Sequence, residues 1–491
     1  VTTASEPLPA QHRAIILILL ISTFVVILNE TIMNVALPRL MADLDLSAST
    51  AQWLSTAFLL TMAVVIPITG FLLQRLSTRT VFLTAMSLFC AGTLIAAAAP
   101  GFVPLLAGRV VQAGGTAIML PLLITTVLTL VAERGRGAVM GQISIVISVA
   151  PAIGPTISGL LLSALPWRSM FLFMLPIALA ALFYGARTLV NFGEPRRLTL
   201  DLVSVPLSAV GFGGLVYALS RFGDTPAGLG SPAVSVPLIL GMLALAAFIW
   251  RQLSLGRRGT PLLDLRVFRF PMFTLGTGLM MIAMMALFGG AILLPLYLQN
   301  IRELSPLQTG LLLLPGGLLM GLLAPGIGKL FDRHGPLWLV TPGTVLLALT
   351  LWGLGSIDAA TPISTLLTLH LVLSVGLALL FTPVFTSSLG PLPPELYSHG
   401  SATLSTLQQV AGAAGTALLI TVLTGRAASR LAEGASAAQA QTAGFQTAFH
   451  VAAGIALLAV LLAPFLRRPE PQAQPDALAQ GGDLTVPATE G

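Results

Sequence analysis

Charge is what this chain of 491 residues has least of. Asp, Glu, Lys and Arg together make up 9% of it, against about 25% in a soluble domain. That scarcity excludes an ordinary water-soluble fold. Cysteine is nearly absent too: Cys90 stands alone in an apolar stretch, so no intramolecular disulfide can form. No glycine-rich phosphate loop occurs, which argues against ATP as an energy source. No His, Cys and carboxylate cluster has metal-ligand spacing, so no metal and no cofactor is expected. No nucleophile–base pair is visible, so the chain is not read as an enzyme. The formal charge of +6 does not point to nucleic acid, because the basic residues are scattered through short loops. No cleavable signal peptide is evident. The first apolar stretch carries Glu30 and is too long for a signal core, so it reads as a retained span.

What the chain has is long apolar runs. Hydrophobic residues are 55% of the sequence, and the runs approach the ~20 residues that cross a bilayer as a helix. Backbone groups in lipid must bond within the segment, which leaves helices or closed barrels. Continuous runs without alternation exclude the barrel. The fold class is therefore an all-α membrane protein with 14 transmembrane helices. The spans fall near 14–37, 51–73, 80–98, 103–131, 138–163, 169–189 and 201–220, then near 234–253, 272–298, 307–330, 337–356, 363–388, 400–424 and 445–466. The tail beyond Pro469, rich in Pro, Ala, Gln and Gly, is expected to be disordered.

Arginine sets the expected orientation. With the N-terminus inside, 17 basic residues lie in inner loops and 6 in outer ones, and Arg109 is left within a span. Both termini are therefore expected in the cytoplasm of a bacterial cell membrane. The sequence also repeats itself. Gly70-Phe71-Leu72-Leu73-Gln74-Arg75 after span two matches Gly328-Lys329-Leu330-Phe331-Asp332-Arg333 after span ten. Gly141 opens span five and Gly400 opens span thirteen, while Gly115 in span four matches Gly376 in span twelve. The offsets are nearly constant. They suggest two related six-helix halves with a two-helix insert between them, a pattern of transporters whose site lies at the repeat interface.

Several stretches carry a family resemblance. They are Asn34-Val35-Ala36-Leu37-Pro38 ending span one, Gln74-Arg75-Leu76-Ser77-Thr78-Arg79 before span three, Arg109-Val110-Val111-Gln112-Ala113-Gly114-Gly115 in span four and Gly154-Pro155-Thr156-Ile157-Ser158-Gly159 in span five. Together they resemble the major facilitator superfamily, and most nearly its fourteen-span drug:proton antiporter branch. The Leu28-Asn29-Glu30-Thr31 wording and Thr406-Leu407-Gln408-Gln409-Val410-Ala411-Gly412 look like the lincomycin-resistance-type exporters within it. The resemblance covers about residues 14–466. It implies two six-helix bundles, residues 14–190 and 271–466, and a two-helix insert within 191–270. Cytoplasmic tails, 1–13 and 467–491, flank them. It further implies proton-coupled efflux of amphipathic drugs by alternating access, with the proton as coupling ion, in a monomer embedded in the bilayer. An exporter dedicated to one endogenous metabolite or siderophore, and a non-transporting membrane receptor, stay open as alternatives. The chain departs from the family in four places. The usual acid stands at Asn29, here followed by Glu30. An acid is usual at 74, here Gln74. Gln112 is usually followed by Gly, here Ala113. The glycine pair of span five is Ser158-Gly159.

Glu30 is the first functional candidate. An ionised side chain at bilayer depth costs roughly 2.5–3.5 kcal/mol on insertion scales. Thr23, Glu30 and Asn34 share one helical stripe, which is expected to face a cavity. Burial disfavours the charged form of a carboxyl and so allows proton uptake near neutral pH. A structural carboxylate about two turns from the outer rim is the plain alternative. Arg109 cannot shed its charge, so it needs a partner. The resemblance implies a role in proton transfer, and packing glue between spans is the alternative. Asn29, Asn34, Gln112, Met281, Met284 and Gln408 are the candidates for lining a substrate cavity. Methionine is adaptable toward varied apolar guests, although core or lipid packing is the better reading of any single one.

Gly154, Pro155, Ser158 and Gly159 form the motif that the resemblance associates with antiporters. Small residues there would let a neighbouring helix approach closely, and the proline would bend the helix. A generic kink is the alternative. Gly70, Gln74, Arg75, Gly328, Asp332 and Arg333 are expected to latch the inner ends of helices, the first latch being the weaker for want of an acid at 74. His370, the repeat mate of Arg109, reads as a packing histidine more readily than as a second titrating site.

Overall fold

The structure is a computed structural model in which residues 9–132, 135–191, 201–222, 228–257 and 261–467 are described. Among them run fourteen helices long and apolar enough to cross a membrane. The first six are α1 (Ala10–Leu44), α2 (Ala48–Arg75), α3 (Thr78–Ala98), α4 (Phe102–Leu130), α5 (Arg136–Ala164) and α6 (Arg168–Thr188). Then come α7 (Ser204–Phe222) and α8 (Pro232–Gly256). The last six are α9 (Pro271–Asn300), α10 (Pro306–His334), α11 (Leu337–Leu354), α12 (Ile363–Leu389), α13 (Tyr397–Ala432) and α14 (Ala437–Leu462). No strand occurs among the described residues. The inner-loop arginines Arg134, Arg196, Arg197, Arg258 and Arg468 and most of the tail lie outside them, as does the side chain of Asn34.

Local chemistry explains the helix starts. The side chains of Ser47, Ser77, Ser305 and Ser436 accept from backbone N–H groups three residues on. Such caps satisfy donors that a helix leaves free. At Ser305 and Ser436 a glutamine reaches back to complete a capping box,. α1 runs seven residues past Leu37, where the sequence suggests its end, so Glu30 lies well inside a continuous helix.

Helices α1–α6 pack on one another, as do α9–α14. Within the first half, α3 and α4 come close because glycine faces backbone. A Cβ at Gly108 would approach Ala96 N to 2.8 Å. The exterior is greasy: Leu160, Trp250, Leu322 and Trp338 are more than two-thirds exposed, as lipid-facing positions should be. Two pairs of helices form the main seams between the halves, α5 along α10 and α2 along α13, with lesser contacts of α5 to α12 and α4 to α13. The sequence repeat relates α2 to α10 and α5 to α13, so the two seams are copies of one contact.

The insert lies on one of these seams. α7 packs against both α2 and α13. Phe212, Val216 and Phe248 of α7 and α8 join Phe71 of α2, Ala402 of α13 and the linker residues Leu262 and Leu263 in one buried cluster. Gln252 of α8, itself buried, ties that linker down. Its Oε1 accepts from Leu262 N at 2.8 Å and Leu263 N at 3.2 Å, while its Nε2 donates to Ser204 Oγ at 2.7 Å. Arg251 grips Asp201 with two bonds of 2.6 Å. The Arg251 guanidinium, with Ser204, holds the Asp201 carboxyl far below its usual range.

Candidate functional site

Two polar places stand out in this apolar molecule. One lies inside the first half; the other joins the halves at the face where α1 begins, called the basic face here for its arginines.

The inner site rests on α1, α3 and α4. Asn29 and Arg109 are both buried. Arg109 Nη1 donates to Asn29 Oδ1 at 3.2 Å and to Gln112 Oε1 at 2.6 Å. Gln112 Nε2 donates to Thr93 Oγ1 at 2.7 Å, and Thr93 donates to Phe89 O at 2.6 Å. The ring of Phe58 on α2 covers the guanidinium, with Cζ 4.0 Å from its centroid. Arg109 Nε has no partner among the described residues.

Glu30 is placed differently. α1 is not unwound here, so one residue of register is a turn of about 100°. Asn29 faces Arg109, while Thr31 faces α5, its Oγ1 lying 3.5 Å from Ala150 O. Glu30 lies between these two directions. The core residues Leu28 and Ile32 occupy the opposite side of the helix. Glu30 is partly exposed and interacts with Arg109 through charge, with no direct ion pair to it. Thr23, two turns earlier on the same stripe, is fully buried. α1 makes its extensive contacts with α2, α4, α5 and α6 alone, all in its own half.

Other cavity candidates fall elsewhere. Met284 is buried in the core, and Met281 is half-buried against it. Gln408 is buried, and its Nε2 has no partner among the described residues. It shares a face of α13 with Gly412 and Gly415, which pack on Phe288 and Met285 of α9. The residue that reaches across the seam is its neighbour Gln409, whose Nε2 lies 3.7 Å from Met62 Sδ of α2. Gln112 serves the arginine rather than an open cavity. His370 Nε2 donates to Leu313 O at 2.9 Å, and its ring fills the space over Gly316.

The span-five motif divides. A Cβ at Gly154 would overlap Thr31 Oγ1 of α1, so this glycine permits a close approach. Ser158 is buried, its Oγ 3.4 Å from Met170 Sδ. Gly159 is a correction: a Cβ there would meet nothing, so no neighbouring helix needs it small. Pro151 and Pro155 both lie within a helix that stays continuous.

At the basic face the halves are bolted together. Asp332 at the end of α10 accepts from Gly137 N at 3.1 Å and Ala138 N at 3.2 Å, so it caps α5 of the other half. Gly328 and Gly137 are in backbone contact beside it. Arg136 donates from Nη2 to Leu128 O at 2.9 Å and to Tyr397 Oη at 3.0 Å. Gln74 donates to Glu395 O at 2.8 Å, so an amide makes a bond across the seam where an acid would have sought a donor. A Cβ at Gly70 would approach His399 Nδ1 to 3.1 Å. Deeper in, Ser144 and Thr382 share a hydrogen bond of 2.7 Å, and Thr125 and Ser401 one of 2.8 Å. Arg75 and Arg333 are exposed and take no part in these bonds. The buried Asp264 of the linker joins this junction. Burial works against its charge, but the Arg266 fork, together with the charge of His399, holds its carboxyl below the usual range. The sequence reading missed Phe58, Thr93 and Asp264, none of which carried a signal; Gln409 was legible as half of an amide pair.

Comparison with known proteins agrees with this architecture. The family model of the Major Facilitator Superfamily matches residues 19–416. The chain is 44% identical over 454 residues to the lincomycin resistance protein LmrB of Listeria monocytogenes, covering 91% of this chain and 95% of that one. It is 40% identical to the protein of the same name from Bacillus subtilis, over 95% and 98% of the two chains. It is 30% identical to a multidrug resistance protein B homolog of Mycobacterium tuberculosis, over 81% and 73%. In fold it resembles the crystal structure of the human organic anion transporter MFSD10, with a TM-score of 0.65 at 17% identity, over 93% of this chain and all of that one. With fourteen apolar helices, paired halves and these relatives, the chain belongs to the major facilitator superfamily of multi-pass membrane transporters.

Proposed function

We propose that this protein is a proton-coupled efflux antiporter for amphipathic small molecules, working by alternating access with both termini in the cytoplasm. The observation that carries the reading is Glu30: a partly exposed carboxyl, one residue away from the Asn29–Arg109 contact. A carboxyl so placed can take a proton from one compartment and give it up to the other as access changes. Its charge interaction with Arg109 offers the coupling. As the guanidinium moves nearer or farther, proton release becomes easier or harder. The basic face is the cytoplasmic one on the positive-inside rule. The bonds of Asp332, Gln74 and Arg136 close that face, while α1 makes its extensive contacts within its own half, as an outward-facing carrier requires. A proton then enters from outside, neutralises Glu30 and favours drug release and return of the carrier. The driving force is about 1.4 kcal/mol per pH unit and about 2.3 kcal/mol per charge per 100 mV. The names of the relatives support lincosamide-like antibiotics and other lipophilic drugs as substrates.

The test is drug-evoked proton movement in proteoliposomes under an imposed pH gradient. The parent protein should exchange a lincosamide or a lipophilic cationic dye for protons, and Glu30→Gln, inserted normally, should not. Normal exchange by Glu30→Gln would remove the proton role from this residue. Absence of any drug flux through the parent protein would remove the transport reading.

A further inference from the structure

A guanidinium held out of water needs somewhere to place its charge, and the surroundings of Arg109 offer little choice. Asn29 and Gln112 supply neutral acceptors to Nη1 alone. In α1 to α6 the only acidic residues are Glu30 and Asp43, and Asp43 lies near the end of α1 beside Arg39. On the other helices packed on α1, the ionisable groups besides Arg109 lie at helix ends (Arg75, Arg136, Arg168 and Arg187) or, as Tyr184, on the exterior. Glu30 is therefore the counter-charge that acts on Arg109 among the described residues, yet Arg109 is not directly paired with it. The face of the guanidinium is instead covered by Phe58, 4.0 Å away and 1% exposed. Phe58, Met62 and Ile66 form one stripe of α2, and they pack on Ala113 and Ala117 of α4, one and two turns beyond Arg109. These small side chains leave room for the ring. An aromatic face attracts a cation, and does so most strongly where water is excluded.

We propose that Phe58 is a positioning residue for proton exchange: its ring holds Arg109 in the Asn29–Gln112 cradle and out of a direct ion pair with Glu30. The proposal rests on the reading of Glu30 and Arg109 as the proton-coupling pair. Without the ring's electron-rich face, the guanidinium turns to its only available counter-charge. Glu30 is then locked as a carboxylate, and the exchange cycle stalls.

Progressive fluorination of the ring tests this, because it drains the face of negative potential with little change of shape. Full-length protein carrying mono-, di- and trifluorophenylalanine at position 58 is reconstituted in proteoliposomes beside Phe58→Leu and Glu30→Gln. Drug-evoked proton movement should fall stepwise along the series, by about tenfold at the trifluoro ring, the loss a desolvated cation–π contact predicts. Dye binding should hold across the series. A flat fluorination series overturns the proposal whether Phe58→Leu is active or not, since the ring is then mere packing. If Glu30→Gln exchanges normally, the underlying proton reading fails instead, so the two failures are told apart.

Discussion

Asn29 and Glu30 differ by one step of a helix, and that step separates a residue bonded to Arg109 from one that only feels its charge. The same step separates Gln408, packed toward α9, from Gln409, which meets α2. Residues of this kind were visible in the sequence because a charge or amide in an apolar run is expensive and therefore noticeable. Their directions were not visible, since neighbouring helices decide which way an inward face looks. Phe58 had no signal at all, because an aromatic in an apolar helix is ordinary until a cation lies over it. The glycine of span five allows a sharper statement. Gly154 abuts Thr31, so Gly154→Ala should cost about 1–3 kcal/mol through overpacking. Turning the threonine would not relieve it, because the new Cβ would still lie 2.9 Å from Thr31 Cβ. Thr31→Ala in the same chain should recover part of the loss, read as thermal stability in detergent. A Gly159→Ala change should be nearly silent, because that site is open.

At the scale of elements, the two seams do different things at the basic face. α5 and α10 are joined by a carboxylate cap on a helix N-terminus, where a negative charge is favoured. α2 is joined to the turn before α13 by a hydrogen bond from the Gln74 amide, and to α13 through the linker after α8. The inserted pair is thus part of a seam, not an appendage. Gln252 makes this testable, because it satisfies two buried N–H groups of the linker at once. Gln252→Leu keeps the bulk but strands both donors, at about 1–3 kcal/mol for each. The variant should show a lowered melting temperature and faster proteolysis of the linker, with the rest of the molecule protected. Gln252→Glu, which keeps the acceptor, should lose less. The helices themselves were legible from hydropathy, and the repeat from its offsets. The seat of the insert was not, because the surface pattern of α7 and α8 does not name the helices they cover.

At the scale of the whole molecule, the distribution of arginine predicts which face meets the cytoplasm. Cys90 is buried and should be silent toward an impermeant thiol reagent added to intact cells. Single cysteines at Arg39 and Arg430, both exposed at the face opposite the basic one, should be labelled. Cysteines at Arg79 and Lys329, exposed at the basic face, should be labelled only after the membrane is opened. The reverse pattern would invert the orientation and the direction of transport with it. By itself, the sequence determined the fourteen helices, the duplication, the family resemblance and the few charges that lipid forbids without a reason. Each follows from composition or local spacing, where the cost of a polar group in oil acts residue by residue. Tertiary structure alone decided that Asn29 takes the arginine's hydrogen bond, that Phe58 covers the cation, and that the insert seals a seam between halves. Those facts depend on contacts between helices far apart in the chain, and no local pattern encodes the rotation at which two helices meet.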